Sequence, residues 1–135
     1  MKVSKKAEYA LRALVAMGRA RAGTNFSIQD LARSETIPLK FLEQILLALK
    51  NGGLLRSKRG VGGGYQLVTN PARIPLGEVV AIFDGPFDPL PGTENVALGQ
   101  VFGDLRNRVT QWFSETTVAD VIEKERQRES VSFDI

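Results

Sequence analysis

The sequence predicts a mainly α-helical fold that carries one small β-hairpin and a long helix near its C-terminus. Apolar residues recur at three- and four-residue steps in the first fifty residues and again from 98 to 113, which is the spacing of helices that bury one face. A glycine-rich turn between two short segments of β-type composition predicts the hairpin. A chain of 135 residues is long enough to bury a core without disulfides or metal.

The first two helices are marked by serine caps. Apolar positions at helical spacing predict a helix over Ser4–Arg21, with Ser4 as its N-cap and Gly23 as its stop. A second, shorter helix opens at Ser27, whose side chain can accept from the free amides of the first turn. It should end near Glu35, because the residue before a proline is disfavoured in the helical region.

The third helix begins at Pro38, where the missing amide hydrogen costs nothing. Its core face is predicted to consist of four aliphatic residues, Leu42, Ile45, Leu46 and Leu49. The segment 51–53 (Asn-Gly-Gly) ends it. Two helices joined by a turn of about three residues form the helix-turn-helix pattern.

The hairpin follows directly. Residues 54–58 and 65–69 are predicted strands, and the turn at 59–64 contains four glycines that permit positive φ angles. A helix, a helix-turn-helix and a hairpin in that order predict a winged helix-turn-helix.

The C-terminal half is predicted to be helical around one irregular segment. A short helix spans 76–83 and is followed by a loop rich in Pro and Gly at 84–92. An amphipathic helix with a wide apolar stripe comes next. Thr116 or Thr117 should cap a last short helix, and the polar tail from Lys124 onward is expected to fray.

The composition excludes several functions. The chain has no Cys and no His, which removes disulfides, thiolate or imidazole zinc sites and most routes to nucleophilic catalysis, so we expect no enzyme and no metal site. The glycines at 60–64 lack both the spacing and the following helix of a nucleotide-binding loop. Without a signal-peptide core or an apolar run of about 18 residues, a cytoplasmic, non-membrane protein is expected.

The charge distribution is uneven along the chain. Residues 1–70 carry 12 Lys and Arg against 4 Asp and Glu, a net charge of +8, whereas residues 71–135 have a net charge of −5. A basic N-terminal half indicates a polyanionic partner, although a solvated charge distribution without a partner would look the same.

The third helix and the hairpin turn are the predicted DNA contacts. Residues near the start of a recognition helix can reach base edges in the major groove, and a basic wing can reach the minor groove or phosphates. The predicted contact residues are Lys5, Ser27, Leu39, Lys40, Glu43, Gln44, Arg56, Ser57, Lys58, Arg59 and Gly60. The alternatives are an ordinary solvated helix face and a flexible hairpin that happens to be basic.

The apolar stripe of the long helix is the predicted dimerisation surface. It consists of Leu98, Val101, Phe102, Leu105, Val109, Trp112 and Phe113. Part of this stripe could belong to the core, but its size favours burial against a second copy. A twofold dimer would place two recognition helices about one DNA turn apart.

Several segments resemble one family of bacterial regulators. They are KKAEYAL (5–11), IPLKFLEQIL (37–46), LKNGGLL (49–55), RGVGGGYQL (59–67), LGEVV (76–80) and DLRNRV (104–109). Together they resemble the Rrf-two family of winged-helix transcriptional regulators over nearly the whole chain. The resemblance implies a homodimer, base contacts at Lys40, Glu43 and Gln44, and wing contacts at Ser57, Arg59 and Gly60.

The chain departs from that family in its sensor. Cluster-binding members carry three cysteines in the segment after Phe83, and this chain has none, so no iron–sulfur cluster is expected. Regulation by a partner protein, regulation by a small ligand and constitutive repression all stay open.

The sequence therefore predicts a sequence-specific transcriptional regulator that binds double-stranded DNA and a pseudo-palindromic operator as a homodimer, acting as a repressor. Residues 1–83 would form the DNA-binding domain, 84–97 the loop and 98–135 the dimerisation helix and tail. The alternative is a winged-helix module that binds another protein. Steep loss of DNA affinity with salt would separate the two.

Overall fold

The computed structural model describes residues 2–133. It has six α-helices, a two-stranded antiparallel hairpin and one 3₁₀ turn within that range. In chain order these elements are α1 (Lys5–Gly18), α2 (Ile28–Glu35), α3 (Leu39–Asn51), β1 (Leu55–Lys58), β2 (Gly64–Leu67), the 3₁₀ turn (Pro71–Arg73), α4 (Leu76–Asp84), α5 (Ala97–Glu115) and α6 (Val118–Phe133). The predicted fold class is confirmed.

The serine caps lie where the sequence predicts them. The Ser4 side chain accepts from the Ala7 amide at 3.1 Å, and the Ser27 side chain accepts from the Asp30 amide at 3.0 Å. The predicted end of the first helix is wrong: α1 stops at Gly18 rather than near Arg21. Gly18 lies tightly against Pro71 and Ile122, where an added Cβ would come within 2.9 Å of both side chains.

The helix-turn-helix has a well-defined connection between α2 and α3. Thr36 ends α2 in the left-handed conformation, with φ of 54° and ψ of 50°. Ile37 is buried and donates its amide to the Ala32 carbonyl at 2.9 Å. Pro38 is the N-cap of α3, which begins at Leu39, one residue later than predicted.

The hairpin is joined to the rest of the fold by a third extended segment. Leu55 pairs with Leu67 and Lys58 with Gly64. The first strand therefore begins one residue later than the predicted 54–58, and the second covers 64–67 instead of the predicted 65–69. Phe26 and Tyr65 exchange two backbone hydrogen bonds of 2.9 and 2.8 Å. Gly64 lies so close to Phe26 that an added Cβ would be 2.1 Å from its carbonyl oxygen. No other residue fits there without moving the backbone.

One core joins α1, α3, the hairpin, α4 and the start of α6. Its fully buried large side chains are Leu14, Leu42, Ile45, Leu46, Leu49, Ile74, Val79 and Val118. Val118 enters this core because α6 folds back on α1, and its amide donates to the Ile74 carbonyl at 3.0 Å. The expectation of a frayed tail from Lys124 is wrong, since α6 continues to Phe133.

The long helix α5 is held against α4 at one end. Gly77 in α4 allows this approach, because an added Cβ there would be 2.6 Å from the Phe113 Cβ. Phe113 therefore packs on the winged-helix body rather than standing free on the predicted stripe. No helix within residues 2–133 is long and apolar enough to cross a membrane.

Candidate nucleic-acid interface

Helix α3 has two faces of opposite character. Its inner face is built from Leu42, Ile45, Leu46 and Leu49, all of them fully buried. Its outer face exposes Leu39, Lys40, Glu43, Gln44 and Leu47. Leu39 is 40% and Leu47 is 51% exposed. The apolar side of α3 holds the helix in place, and its exposed face combines polar, charged and apolar side chains. This is the form of a recognition helix that enters the major groove.

The wing presents its charges at the turn. Lys58, Arg59 and Gly60 are all exposed, and Val61 at the tip is fully exposed. Arg56 is held within the hairpin instead, because its Nε donates to Oε1 of Gln66 on the neighbouring strand at 3.0 Å. Arg59 is thus the guanidinium placed furthest toward the tip, while Arg56 is tethered within the sheet.

Asn25 holds the wing turn, a role that the sequence reasoning missed. Its Nδ2 donates to the Gly62 carbonyl, joining the segment before α2 to the tip of the hairpin. Within residues 2–133 its buried Oδ1 accepts no hydrogen bond, so the contact with the Gly62 carbonyl is the side-chain bond that ties Asn25 to the wing. No local pattern around Asn25 announces a partner 37 residues away.

A cluster of aromatic and basic side chains adjoins the start of α3. Tyr9 and Phe41 meet edge to face with ring centroids 6.0 Å apart. Lys5 lies 5.7 Å from the Tyr9 ring and Lys6 lies 5.8 Å from the Phe41 ring. The α1 N-terminus therefore brings the Lys6 ammonium group against α3, while Lys5 lies beside Tyr9 and pairs with Glu8 at 3.3 Å. The sequence analysis names Lys5 as a DNA contact, which stays a prediction, and does not name Lys6.

Ser27 and Ser57 lie at different depths. Ser27 is half-buried and caps α2, and its predicted contact with DNA remains a prediction. Ser57 is exposed on β1, opposite Tyr65 in the hairpin.

The predicted dimerisation stripe divides into two parts. Leu98, Val101, Leu105 and Trp112 are exposed, by 61%, 68%, 38% and 55%. Phe102, Val109 and Phe113 are half-buried and turn toward the loop 85–96 or α4. The exposed part is a set of large apolar side chains on α5, of a kind that usually marks an interface.

A recognition helix with one buried face, followed by a basic hairpin, is the arrangement of a winged-helix DNA-binding protein. Residues 3–124 match the model of the Rrf2 (Rrf-two) family, described as iron-dependent transcriptional regulators. The chain therefore belongs to the Rrf2 family, and it is a helix-turn-helix transcriptional regulator rather than an enzyme.

Relatives and solved structures agree with that assignment. An HTH-type transcriptional regulator of Mycobacterium tuberculosis H37Rv is 38% identical over 131 residues, covering 90% of this chain and 81% of the relative. The structure of CymR, the global cysteine regulator of Bacillus subtilis, is similar with a TM-score of 0.82 and 27% identity, covering 92% and 98% of the two chains. T. potens IscR, at 23% identity with a TM-score of 0.75 and coverage of 93% and 88%, shares the fold.

The residues of this chain do not fit an iron–sulfur cluster. Such clusters are held by thiolates, with imidazole as the usual substitute, and the chain has neither Cys nor His. The loop 85–96 offers only the carboxylates of Asp88 and Glu94. Within residues 2–133 no group of three or more acidic, Cys or His side chains is placed to hold a metal ion.

Proposed function

We propose that the protein is a homodimeric transcriptional repressor that binds a pseudo-palindromic operator. The observation that carries this proposal is the exposed polar face of α3 beside an anchored basic wing, with the opposite face of α3 fully buried. A rigid reading helix and a fixed wing contact one half-site together.

Each half-site would be read by a small set of side chains. Glu43 can accept from a cytosine amino group, and Gln44 can pair with adenine. Lys40, Lys5 and Lys6 are exposed and would neutralise phosphates. Arg59 at the wing tip suits a narrow minor groove, where negative potential is concentrated.

The exposed part of the α5 stripe supports the homodimer. A second copy packed on Leu98, Val101, Leu105 and Trp112 would remove this apolar face from water. In that arrangement residues 1–83 contact DNA and α5 joins the two protomers, while α6 returns to the body of its own chain. Twofold symmetry of the protein then matches twofold symmetry of the operator.

The test is fluorescence anisotropy on fragments upstream of the protein's own coding region, against random duplex, over a salt series. A fragment bound ~1,000-fold more tightly than random DNA is the expected result. Arg59→Ala should weaken that binding by about 1–3 kcal/mol. Arg128→Ala is the matched control, because Arg128 is exposed on α6, away from α3 and the wing.

Two outcomes would contradict the proposal. Unchanged affinity of Arg59→Ala would remove the wing from the interface. No binding at low salt would favour the alternative, a winged helix that binds another protein. Repression itself is tested by transcription in vitro from the bound promoter, where added protein should reduce the transcript and an increase would make it an activator.

A further inference from the structure

A cavity of about 760 Å³ lies between α4, α5, the first part of the loop 85–96 and the N-terminal residues before α1. Its volume falls within the range of small-molecule sites. The wall from α5 includes Val109 and Phe113, the wall from α4 includes Val80 and Ala81, and Phe87 closes the side toward the loop.

Most of the cavity wall consists of apolar side chains, and most of its charged residues are acidic. Glu78, Asp84 and Asp88 contribute three carboxylates, whereas Lys2 is the one cation among the lining residues within 2–133. Asp88 accepts from the Leu90 amide at 3.3 Å, and Glu78 forms no ion pair with any other residue in 2–133. An apolar occupant with a positive charge would complement both properties.

We propose that this cavity binds a small, apolar, positively charged molecule. Its apolar groups would lie against Phe87, Val109 and Phe113, and its charge would be shared between the Glu78 and Asp84 carboxylates and the two phenyl rings. A ligand site usually contains a few polar groups among many apolar ones.

Asp84 connects the cavity to the DNA-binding surface, and this connection rests on the proposed function. Its carboxylate lines the cavity and also accepts from the Ser4 amide at 2.9 Å and from the Ser4 hydroxyl. Ser4 caps α1, and the next two residues are Lys5, beside Tyr9, and Lys6, against Phe41 of α3. A cation that draws on Asp84 competes with Ser4 and so alters the position of these two ammonium groups.

The test uses two probes of the same shape and opposite charge, tetraphenylphosphonium and tetraphenylborate, titrated by calorimetry into the full chain without DNA. We expect saturable binding of the phosphonium and about tenfold weaker binding of the borate, because exposed carboxylates attract a cation and repel an anion only modestly. Glu78→Gln should narrow that difference. Ala81→Trp should abolish binding by filling the cavity, whereas Ala72→Trp, on the exposed 3₁₀ turn, should leave it unchanged.

Each contrary result has a distinct meaning. No saturable binding of the phosphonium, or full binding by Ala81→Trp, would overturn the site. Equal binding of both probes would overturn its preference for a cation. If the cavity instead receives a second copy of the chain, neither probe binds and Ala81→Trp dissociates the dimer in sedimentation, which also overturns the site.

The link to DNA is measured separately. Saturating phosphonium should shift operator affinity at least about threefold, and unchanged affinity would overturn the connection through Asp84. Operator binding by the ligand-free protein tests the proposed function on its own, so the two failures can be told apart.

Discussion

Asn25→Ala should weaken operator binding while leaving the fold nearly as stable. The substitution removes the hydrogen bond from Asn25 Nδ2 to the Gly62 carbonyl, worth about 0.5–1.5 kcal/mol net. The Phe26–Tyr65 backbone hydrogen bonds and the buried core are untouched, so the free energy of unfolding should fall by no more than that amount.

The effect on DNA binding has a different origin. The Phe26–Tyr65 hydrogen bonds keep the strands in place, but the turn at 59–63 loses its anchor. Gly60 and Gly62 both have positive φ, of 92° and 75°, and glycine backbone is easily reordered. When the loosened turn becomes ordered again on DNA, the backbone entropy of about one residue is lost, which costs roughly 1–2 kcal/mol. The affinity for the operator should therefore fall about fivefold to thirtyfold.

A double-mutant cycle measured by anisotropy on the operator provides the test. If Asn25 acts by positioning Arg59, then Asn25→Ala should cause little further loss in the Arg59→Ala background. Asn70→Ala is the matched control. The Asn70 side chain, like that of Asn25, makes one hydrogen bond, but it accepts from the nearby Ala72 amide and does not contact the wing turn. Additive losses, or wild-type affinity of Asn25→Ala, would refute this role.

Further substitutions probe α5 from both sides. Leu105→Asp should split the dimer in sedimentation, because it places a carboxylate on the exposed apolar face of α5. Val68→Asp is the control and should leave the dimer intact, since Val68 is also exposed and apolar but lies on the winged-helix body. A dimeric Leu105→Asp protein would contradict the proposed interface. Gly77→Ala should lower the unfolding midpoint, because its Cβ would meet Phe113 at 2.6 Å and overpacking costs about 1–3 kcal/mol. Gly103→Ala, in the same helix as Phe113 but with open space around it, should raise stability by up to ~1 kcal/mol. Equal shifts in these two glycine variants would contradict the tight α4–α5 packing.

Short-range patterns carry the helix-turn-helix and the wing. Ser4 and Ser27 cap their helices through bonds to residues three positions away, and Pro38 precedes α3. The aliphatic spacing of α3 separates its buried face from its exposed face. These features depend on chain geometry over a few residues, so the amino-acid order alone specifies them.

The long-range contacts could not be read in the same way. Asn25 reaches a carbonyl 37 residues away and Ser4 reaches a carboxylate 80 residues away, and no local pattern around either residue indicates these distant partners. Phe113 shares the periodicity of the exposed α5 residues and yet packs on α4, where Gly77 leaves room. The polar segment after Lys124 is helical, in a helix whose first residues, Val118 and Ile122, pack against the body. Periodicity shows which side of a helix is apolar, but only the folded arrangement shows what covers that side, because the covering atoms come from distant parts of the chain.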